Sequence, residues 1–339
     1  MKKRALSALL SLILIISLFS CDGGGELSGG GEIKKKSRTF FEDYFNAGYS
    51  TVYDYSGSPE GDFELLCDRI NEKLAHYHRL FDIYNEYEGI INLATLNRTA
   101  GEGKMTVDPE ICELLSFAKR MHGLTGGKVN VAMGSVLSLW HDARTEGTSL
   151  PDADALLAAA EHTDIENVVI DTAASTVEIL DRKTQIDVGA VAKGYASEKI
   201  CEFIKSQGLS GYAIDIGGNL CVVGTKPDGS GVISGILSPS GAAVNPIPLA
   251  NSALVTSGVY QRFYTVGGID YHHIINPDTL MPDGRYWSLT VHTASGAVAD
   301  ALSTAFFNMS EDEIRAALPS FSGTEVTVIY PDGSILEIK

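Results

Sequence analysis

The chain has 339 residues, of which 44% are hydrophobic, and a formal net charge of −17 at pH 7. This length and composition allow a large core, as one domain or two. A surface this acidic repels phosphate backbones, so we expect no nucleic acid partner. The charge does not exclude a small phosphorylated ligand bridged by a divalent cation.

The N-terminus has the pattern of an export signal, because three basic residues precede a short apolar run. Residues 18–21 (LFSC) resemble a bacterial lipobox, which predicts a lipoprotein signal peptide over 1–20 and a lipid on Cys21. Residues 21–38 form a glycine-rich tether, and the folded domain covers 39–339. We therefore expect an extracytoplasmic protein that is lipid-anchored to the cell membrane, on the periplasmic side in a two-membraned cell. The alternative is that the N-terminal segment is a plain signal or anchor without a lipid, either cleaved or uncleaved.

Predicted helices and strands follow the tether. Apolar spacing indicates helices over about 60–83, 108–123, 151–162, 192–207 and 300–309, with a further helix capped by Ser310 and Glu313. Strands are predicted over 185–188 and within 211–224, 231–237, 252–264 and 287–293, and hairpins over 166–180 and around 331–333. Helices and strands are grouped rather than alternating, which favours a single α+β domain with a mostly antiparallel sheet and packed helices.

The remaining cysteines indicate no metal site, because their spacing has no CxxC pattern. They are Cys67, Cys112, Cys201 and Cys221. Each lies in an apolar helix-like or strand-like segment, so buried thiols are favoured over a disulfide.

Residues 185–200 (QIDVGAVAKGYASEKI) place a bend of small residues between a predicted strand and a predicted helix. Small residues let the backbone approach a ligand, and the helix N-terminus attracts an anion. Lys193 would add a charge suited to phosphate. The alternative is a tight turn with Lys193 in water. The Gly217-Gly218 pair similarly indicates either a ligand contact or a hairpin turn.

Asp300 and Thr304 are four residues apart and share one face of a predicted helix. Their oxygens are ligands that Mg²⁺ prefers, and such an ion keeps positions for water or substrate phosphates. Alternatively, Asp300 only caps the helix. His272 and His273 precede an Asn-Pro turn, where a histidine is also common as a packed or surface residue.

Five segments in this order resemble the ApbE family of flavin transferases. They are residues 187–195 (DVGAVAKGY), 215–219 (DIGGN), 256–258 (TSG), 273–277 (HIINP) and 300–305 (DALSTA), within a likeness from about residue 40 to the C-terminus. The resemblance implies a T-fold-related domain and an enzyme that uses Mg²⁺ and takes FAD as substrate. It would transfer FMN to a Thr or Ser hydroxyl of an acceptor flavoprotein and release AMP.

By position, the resemblance also implies site residues. The expected FAD contacts are Tyr84, Lys128, Val129, Asn130, Asp187, Lys193, Gly217, Gly218, Ser257, His273 and Ile274. The expected metal ligands are Ala190 through its carbonyl, Asp300, Ser303 and Thr304. His273 would be the general base, titrating near neutral pH, with FAD positioning as its alternative role.

Two asparagines, Asn130 and Asn276, stand where the family usually has aspartate, and an early FAD contact has no clear counterpart except Phe45. Two other functions stay open. One is an FAD pyrophosphatase that yields FMN and AMP, and the other is a non-catalytic flavin-binding lipoprotein.

Overall fold

The computed structural model describes residues 35–260 and 262–339. The predicted signal peptide, Cys21 and most of the tether lie outside these residues. The helices are α1 (Glu60–Phe81), α2 (Leu93–Arg98), α3 (Pro109–Leu124), α4 (Gly134–Glu146), α5 (Ala153–Ala160), α6 (Ala192–Ser206), α7 (Gly296–Phe307) and α8 (Glu311–Ala317). Short 3₁₀ turns occur at Tyr44–Asn46, Ile165–Asn167 and Leu318–Ser320.

The strands form one large sheet and three small ones. The first eight strands are β1 (Lys36–Phe40), β2 (Ser50–Asp54), β3 (Met105–Thr106), β4 (Val168–Asp171), β5 (Thr176–Ile179), β6 (Tyr212–Ile216), β7 (Asn219–Val223) and β8 (Val232–Leu237). The others are β9 (Ala243–Leu249), β10 (Ala253–Gly258), β11 (Phe263–Val266), β12 (Ile269–His272), β13 (Ser288–Thr293), β14 (Glu325–Ile329) and β15 (Ile335–Ile338).

The large sheet has eight strands in the order β1-β2-β6-β7-β10-β13-β14-β15. Every neighbouring pair in it is antiparallel. The smaller sheets are β3-β5-β4, β8-β9 and β11-β12. The predicted α+β class with a mostly antiparallel sheet is therefore confirmed.

The sheet separates two packed layers. Helices α6 and α7 pack together on one face, against β6, β7, β10 and β13, and α1 packs on α6. The main core lies in this layer. On the other face, the β8–β9 hairpin covers a smaller cluster that includes Val222, Val232, Leu249 and Leu254.

Helices α6 and α7 meet at two glycines. A Cβ on Gly194 would lie 2.3 Å from the carbonyl oxygen of Gly296 and 2.4 Å from the Cβ of Asp300. Because real side chains do not tolerate such distances, only glycine permits this helix contact. The contact brings the start of α6 against the first half of α7.

Most predicted elements are confirmed, including α1, α3, α5 and α6. Asp108 caps α3 by accepting from Glu110 N–H at 2.9 Å, and Ser310 and Glu313 form the expected capping box of α8. Helix α7 begins at Gly296, earlier than predicted, because Ser295 is its N-cap.

Two predictions about regular structure were wrong, and one helix was not predicted. Residues 185–188 are not a strand, since only Gln185 forms an isolated bridge, with Met133. The predicted strand over 252–264 ends at Gly258, and a turn precedes β11. Helix α4 was missed because its N-cap, Met133, offers no side-chain cap and its first residue is glycine.

The four cysteines of the folded domain, Cys67, Cys112, Cys201 and Cys221, are buried and unbridged, as the favoured interpretation predicted. Burial raises the pKa of the Cys67 thiol to about 12. Among the helices of the described residues, none combines the length and the apolar character needed to cross a bilayer.

Candidate active-site cleft

A cleft of about 270 Å³ lies at one end of the large sheet. Strands β6 and β10 both run antiparallel to β7, so the turns after them, at Gly217 and Gly258, lie at the same sheet edge. All the predicted FAD and metal residues except Gly218 and Ser303 line this cleft, which brings together segments far apart in the chain.

Asp300 is a buried acid of the cleft, with 3% of its surface exposed. Its Oδ2 accepts a hydrogen bond from the Gly194 backbone N–H at 2.8 Å, and its Oδ1 lies 3.4 Å from the Lys193 ammonium. Asp300 lies inside α7, which Ser295 caps, so the alternative that Asp300 only caps the helix is wrong.

The oxygen atoms around Lys193 fit a cation. The Lys193 ammonium donates to the Gly189 carbonyl at 3.3 Å while it contacts Asp300, so a positive charge already sits between the turn and α7. Thr304 and Ala190 line the same cleft. A carboxylate, a hydroxyl and a backbone carbonyl are the hard oxygen donors that suit Mg²⁺.

Ser303 lies behind the cleft wall and is fully buried. Its hydroxyl donates to the Asp300 carbonyl at 2.9 Å and is 2.9 Å from the Ser257 hydroxyl. Ser303 therefore supports Ser257, which lines the cleft. A role for Ser303 as a metal ligand stays a prediction.

His273 is held by one backbone carbonyl. The backbone N–H of His273 donates to the backbone carbonyl oxygen of Arg262 at 3.1 Å, and the ring Nδ1 lies 3.2 Å from the same oxygen. Since a carbonyl only accepts, this contact requires the proton on Nδ1 and leaves a lone pair on Nε2.

The imidazole of His273 is neutral over the physiological range. Burial, followed by repulsion from Arg262, Arg144 and Lys193, lowers the pKa of His273 to about 3. The expectation that it titrates near neutral pH was therefore wrong for the ligand-free protein. Sequence reasoning could not find this, because two of the three cations come from segments with no recognised motif.

Asp187 and the glycine pair shape the cleft floor. Asp187 Oδ1 accepts from Gly189 N–H at 2.8 Å and so tightens the bend before α6. Burial raises the pKa of Asp187, against this hydrogen bond and the nearby cations. Gly217 has φ 55° and turns the chain between β6 and β7, so the hairpin-turn interpretation is confirmed. Gly217 also lines the cleft, and its contact with a ligand stays a prediction. Gly218 lies outside the cleft lining and donates to Asp215 at 2.8 Å.

Asn130 uses both ends of its amide group. Its Nδ2 donates to Thr163 O at 2.8 Å, and its Oδ1 accepts from Ala132 N–H at 2.9 Å. A carboxylate could not make the first of these bonds. Asn276 is buried, and its Oδ1 accepts from Asp278 N–H at 3.0 Å.

Other predicted contacts lie on the rim and walls. Tyr84 is 54% exposed and its ring lies 5.4 Å from that of His141, while the Lys128 ammonium pairs with Asp278 at 2.5 Å. Val129 and Ile274 are buried wall residues. Phe45 does line the cleft and adopts φ 57°.

The cleft residues that sequence reasoning missed include Trp140, His141, Arg144 and Arg262. The first three lie on α4, and Arg262 lies in the turn before β11. The apolar spacing of Val136, Trp140 and Ala143 is the signal that could have revealed α4.

A second group of potential ligands lies outside the cleft. Ligand atoms of His76, Asp108 and Glu110 lie within 4.8 Å of one another. Glu110 already contacts His76 at 2.6 Å and accepts from Tyr77 at 3.0 Å. These contacts join α1 to the start of α3.

Fold and cleft together define an α+β protein with a carboxylate, hydroxyl groups, an imidazole and cations around one ligand site. A family model described as the ApbE family matches residues 49–328. The chain therefore belongs to the ApbE family.

Individual relatives agree with this membership. The FAD:protein FMN transferase of Treponema pallidum (strain Nichols) is 32% identical over 257 residues, which cover 71% of each chain. A FAD:protein FMN transferase of Klebsiella pneumoniae (strain 342) is 26% identical over 279 residues, 79% of this chain and 85% of the other.

Solved structures share the fold. The ApbE protein of Thermotoga maritima superimposes with a TM-score of 0.80 at 24% identity, covering 90% of this chain and 97% of that chain. The flavin transferase ApbE of Vibrio cholerae gives a TM-score of 0.75 at 23% identity, covering 90% and 96%.

Proposed function

We propose that this protein transfers FMN from FAD to a Thr or Ser hydroxyl of an acceptor protein, with Mg²⁺ as the metal and AMP as the leaving product. The names of the curated relatives support FAD as the substrate and a protein as the acceptor. The observation that carries the chemistry is that Asp300, the 189–190 turn and His273 line one cleft.

The reaction exchanges one bond at phosphorus for another. The acceptor oxygen attacks the phosphorus of the FMN half, and the bond from that phosphorus to the bridging oxygen breaks. The bonding electrons leave with the bridging oxygen on AMP, and the hydroxyl proton moves to a base. Catalysis of such a step depends mainly on positioning and on stabilising charge.

Asp300, Thr304 and the Ala190 carbonyl would hold Mg²⁺. Ser303 could join them only if its hydroxyl left the Asp300 carbonyl and Ser257. When bound, the ion would neutralise the negative charge that builds up on the diphosphate. Lys193, at the N-terminus of α6, would bind phosphate oxygens beside it.

His273 suits the base role through its tautomer, because the Arg262 carbonyl keeps the proton on Nδ1 and Nε2 is left to accept one. Its lowered pKa describes the protein without nucleotide. A bound diphosphate would offset the repulsion from Lys193 and the arginines and so raise the pKa of His273 above its ligand-free value, while burial, the largest cause, would still lower it.

We also propose that the protein acts outside the cytoplasmic membrane, attached to it through a lipid on Cys21. Support comes from the basic and apolar pattern of the N-terminus and from the glycine-rich tether before the folded domain. The acceptor would then be an extracytoplasmic flavoprotein.

One incubation separates this function from its alternatives. Purified protein is mixed with FAD and Mg²⁺, with and without a candidate acceptor, and AMP, FMN and covalent flavin fluorescence are measured. Transfer gives AMP together with a fluorescent acceptor band in a denaturing gel. Equal FMN and AMP without labelled protein would indicate a pyrophosphatase, and bound FAD without AMP would indicate a flavin carrier.

A further inference from the structure

The cleft is lined by four basic and three acidic side chains of the described residues, so its formal charge is slightly positive in a protein whose formal net charge is −17. Arg144, Arg262 and Lys193 all line it. They come from three separate parts of the chain, namely the last turn of α4, the turn before β11 and the first turn of α6. Convergence of three cations on one cleft indicates a site for an anion.

Arg144 and Arg262 have no acidic partner. Within residues 35–260 and 262–339, no carboxylate oxygen lies within 4.0 Å of either guanidinium, whereas Arg98, for comparison, pairs with Glu86 at 2.6 Å. Burial, followed by repulsion from Arg144, lowers the pKa of Arg262. The carboxylates of Asp43 and Asp187, beyond ion-pair distance, act against this repulsion. Holding the two like charges together without a direct ion pair costs free energy, which a bound anion would offset.

Both arginines lie on packed supports rather than on free loops. The Arg262 guanidinium donates to the Asn46 carbonyl, and the Arg262 backbone carbonyl accepts from His273 N–H at 3.1 Å. Arg144 lies one turn after Trp140, which is 2% exposed and donates to Leu280 O at 2.9 Å. The backbone at both positions is therefore held by packed residues, and both guanidiniums lie near enough to His273 to repel its protonated form.

We propose that Arg144 and Arg262 form a second anion-binding wall of the cleft, which binds the phosphate oxygens of the dinucleotide substrate. The identity of that dinucleotide as FAD rests on the proposed function. A guanidinium offers two parallel N–H donors that match phosphate oxygens, whereas Lys193 acts as a point charge. The two kinds of cation thus bind one diphosphate from different parts of the chain.

Isothermal titration calorimetry on the full chain tests this wall. Dissociation constants for FAD, AMP and riboflavin are measured for wild type, Arg144→Gln, Arg262→Gln and the control Arg98→Gln. Each cleft variant should weaken FAD and AMP by about 10- to 100-fold, the usual range for one charged hydrogen bond. Riboflavin, which has no phosphate, and the control should be unchanged. Arg144→Lys, which keeps the charge and loses the fork, should fall between wild type and Arg144→Gln.

Three results would overturn the proposal: unchanged FAD and AMP binding, equal weakening of riboflavin, or a raised KM for the acceptor alone. The last would assign the arginines to an acidic segment of the acceptor. If Arg262→Gln unfolds because the Asn46 contact is lost, Arg144→Gln decides. Failure of the proposed function is a separate result, namely wild type that neither binds FAD nor produces AMP.

Discussion

At the scale of single residues, Asp300 joins the fold to the chemistry. Its carboxylate is 3% exposed, accepts from Gly194 N–H at 2.8 Å and turns its other oxygen toward Lys193. Asp300→Asn keeps an oxygen for the first contact and removes the charge. We expect AMP release to fall by at least ~10²-fold, as for other losses of electrostatic stabilisation, with little change in melting temperature.

A matched control for this variant is Asp312→Asn, which alters an exposed carboxylate in the first turn of α8. High-performance liquid chromatography of AMP measures both. Equal activity of Asp300→Asn and wild type would contradict a role for this carboxylate in holding the metal.

His273 is expected to act on the proton of the acceptor hydroxyl rather than on FAD binding. His273→Ala should therefore lower transfer by ~10²–10⁴-fold, the usual contribution of a general base. FAD affinity, measured by fluorescence titration, should stay close to that of wild type. A large loss of affinity with normal turnover would instead assign His273 to positioning.

The lowered pKa of His273 also predicts a pH effect on stability. Its folded value is about 3, against an ordinary value of 6.5. Between these values the unfolded chain binds a proton that the folded protein does not, so the free energy of unfolding falls as pH falls. His273→Gln removes this contribution, and its melting temperature should decline less from pH 6.5 to 4 than that of wild type. Parallel declines would show that the imidazole is not buried among cations.

At the scale of elements, the contact between α6 and α7 positions the site. Gly194→Ala would improve the helix propensity of α6 by about 1 kcal/mol. The added methyl would meet Gly296 O at 2.3 Å and Asp300 Cβ at 2.4 Å. We expect a net destabilisation of about 1–3 kcal/mol, typical of overpacking, and loss of AMP release.

The matched control is Gly123→Ala in α3, where a Cβ would meet nothing within 4 Å. Thermal unfolding should show this variant at or above wild-type stability, because the propensity gain is not opposed. Similar behaviour of the two variants would mean that the helix contact does not require glycine.

The helices and strands also differ in how well the sequence predicts them. Periodicity and capping residues located α1, α3, α6 and α8, because one helix face of each packs on the core. Strand β9 gave no such signal, because Pro246 and Pro248 lie within it and only Leu249 of its seven residues is buried. The motif residues of the cleft were found, while the arginines were not, since only the tertiary structure places them beside His273.

At the scale of the whole molecule, the predicted anchor sets the location of the reaction. Cys21→Ser removes the thioether-forming residue and leaves the folded domain from β1 onward unchanged. We expect the wild type in the membrane fraction with incorporated palmitate and the variant without it, released or retained as a precursor. Purified variant should keep full AMP release. Palmitate labelling of the variant would contradict lipidation at Cys21.

The tertiary fold also explains why an acidic protein can bind an anionic substrate. The charge of −17 belongs to the whole chain, whereas Lys193, Arg144 and Arg262 meet in one cleft. Net charge therefore predicts the repulsion of long polyanions and says little about a small ligand in a local cationic site.

The most direct measurement is the anomalous scattering of Mn²⁺ in crystals of the protein grown with FAD. We expect one manganese bound by Asp300 and Thr304 and in contact with both phosphates of the nucleotide. Manganese at His76, Asp108 and Glu110 instead, with the diphosphate distant from α7, would contradict the central claim.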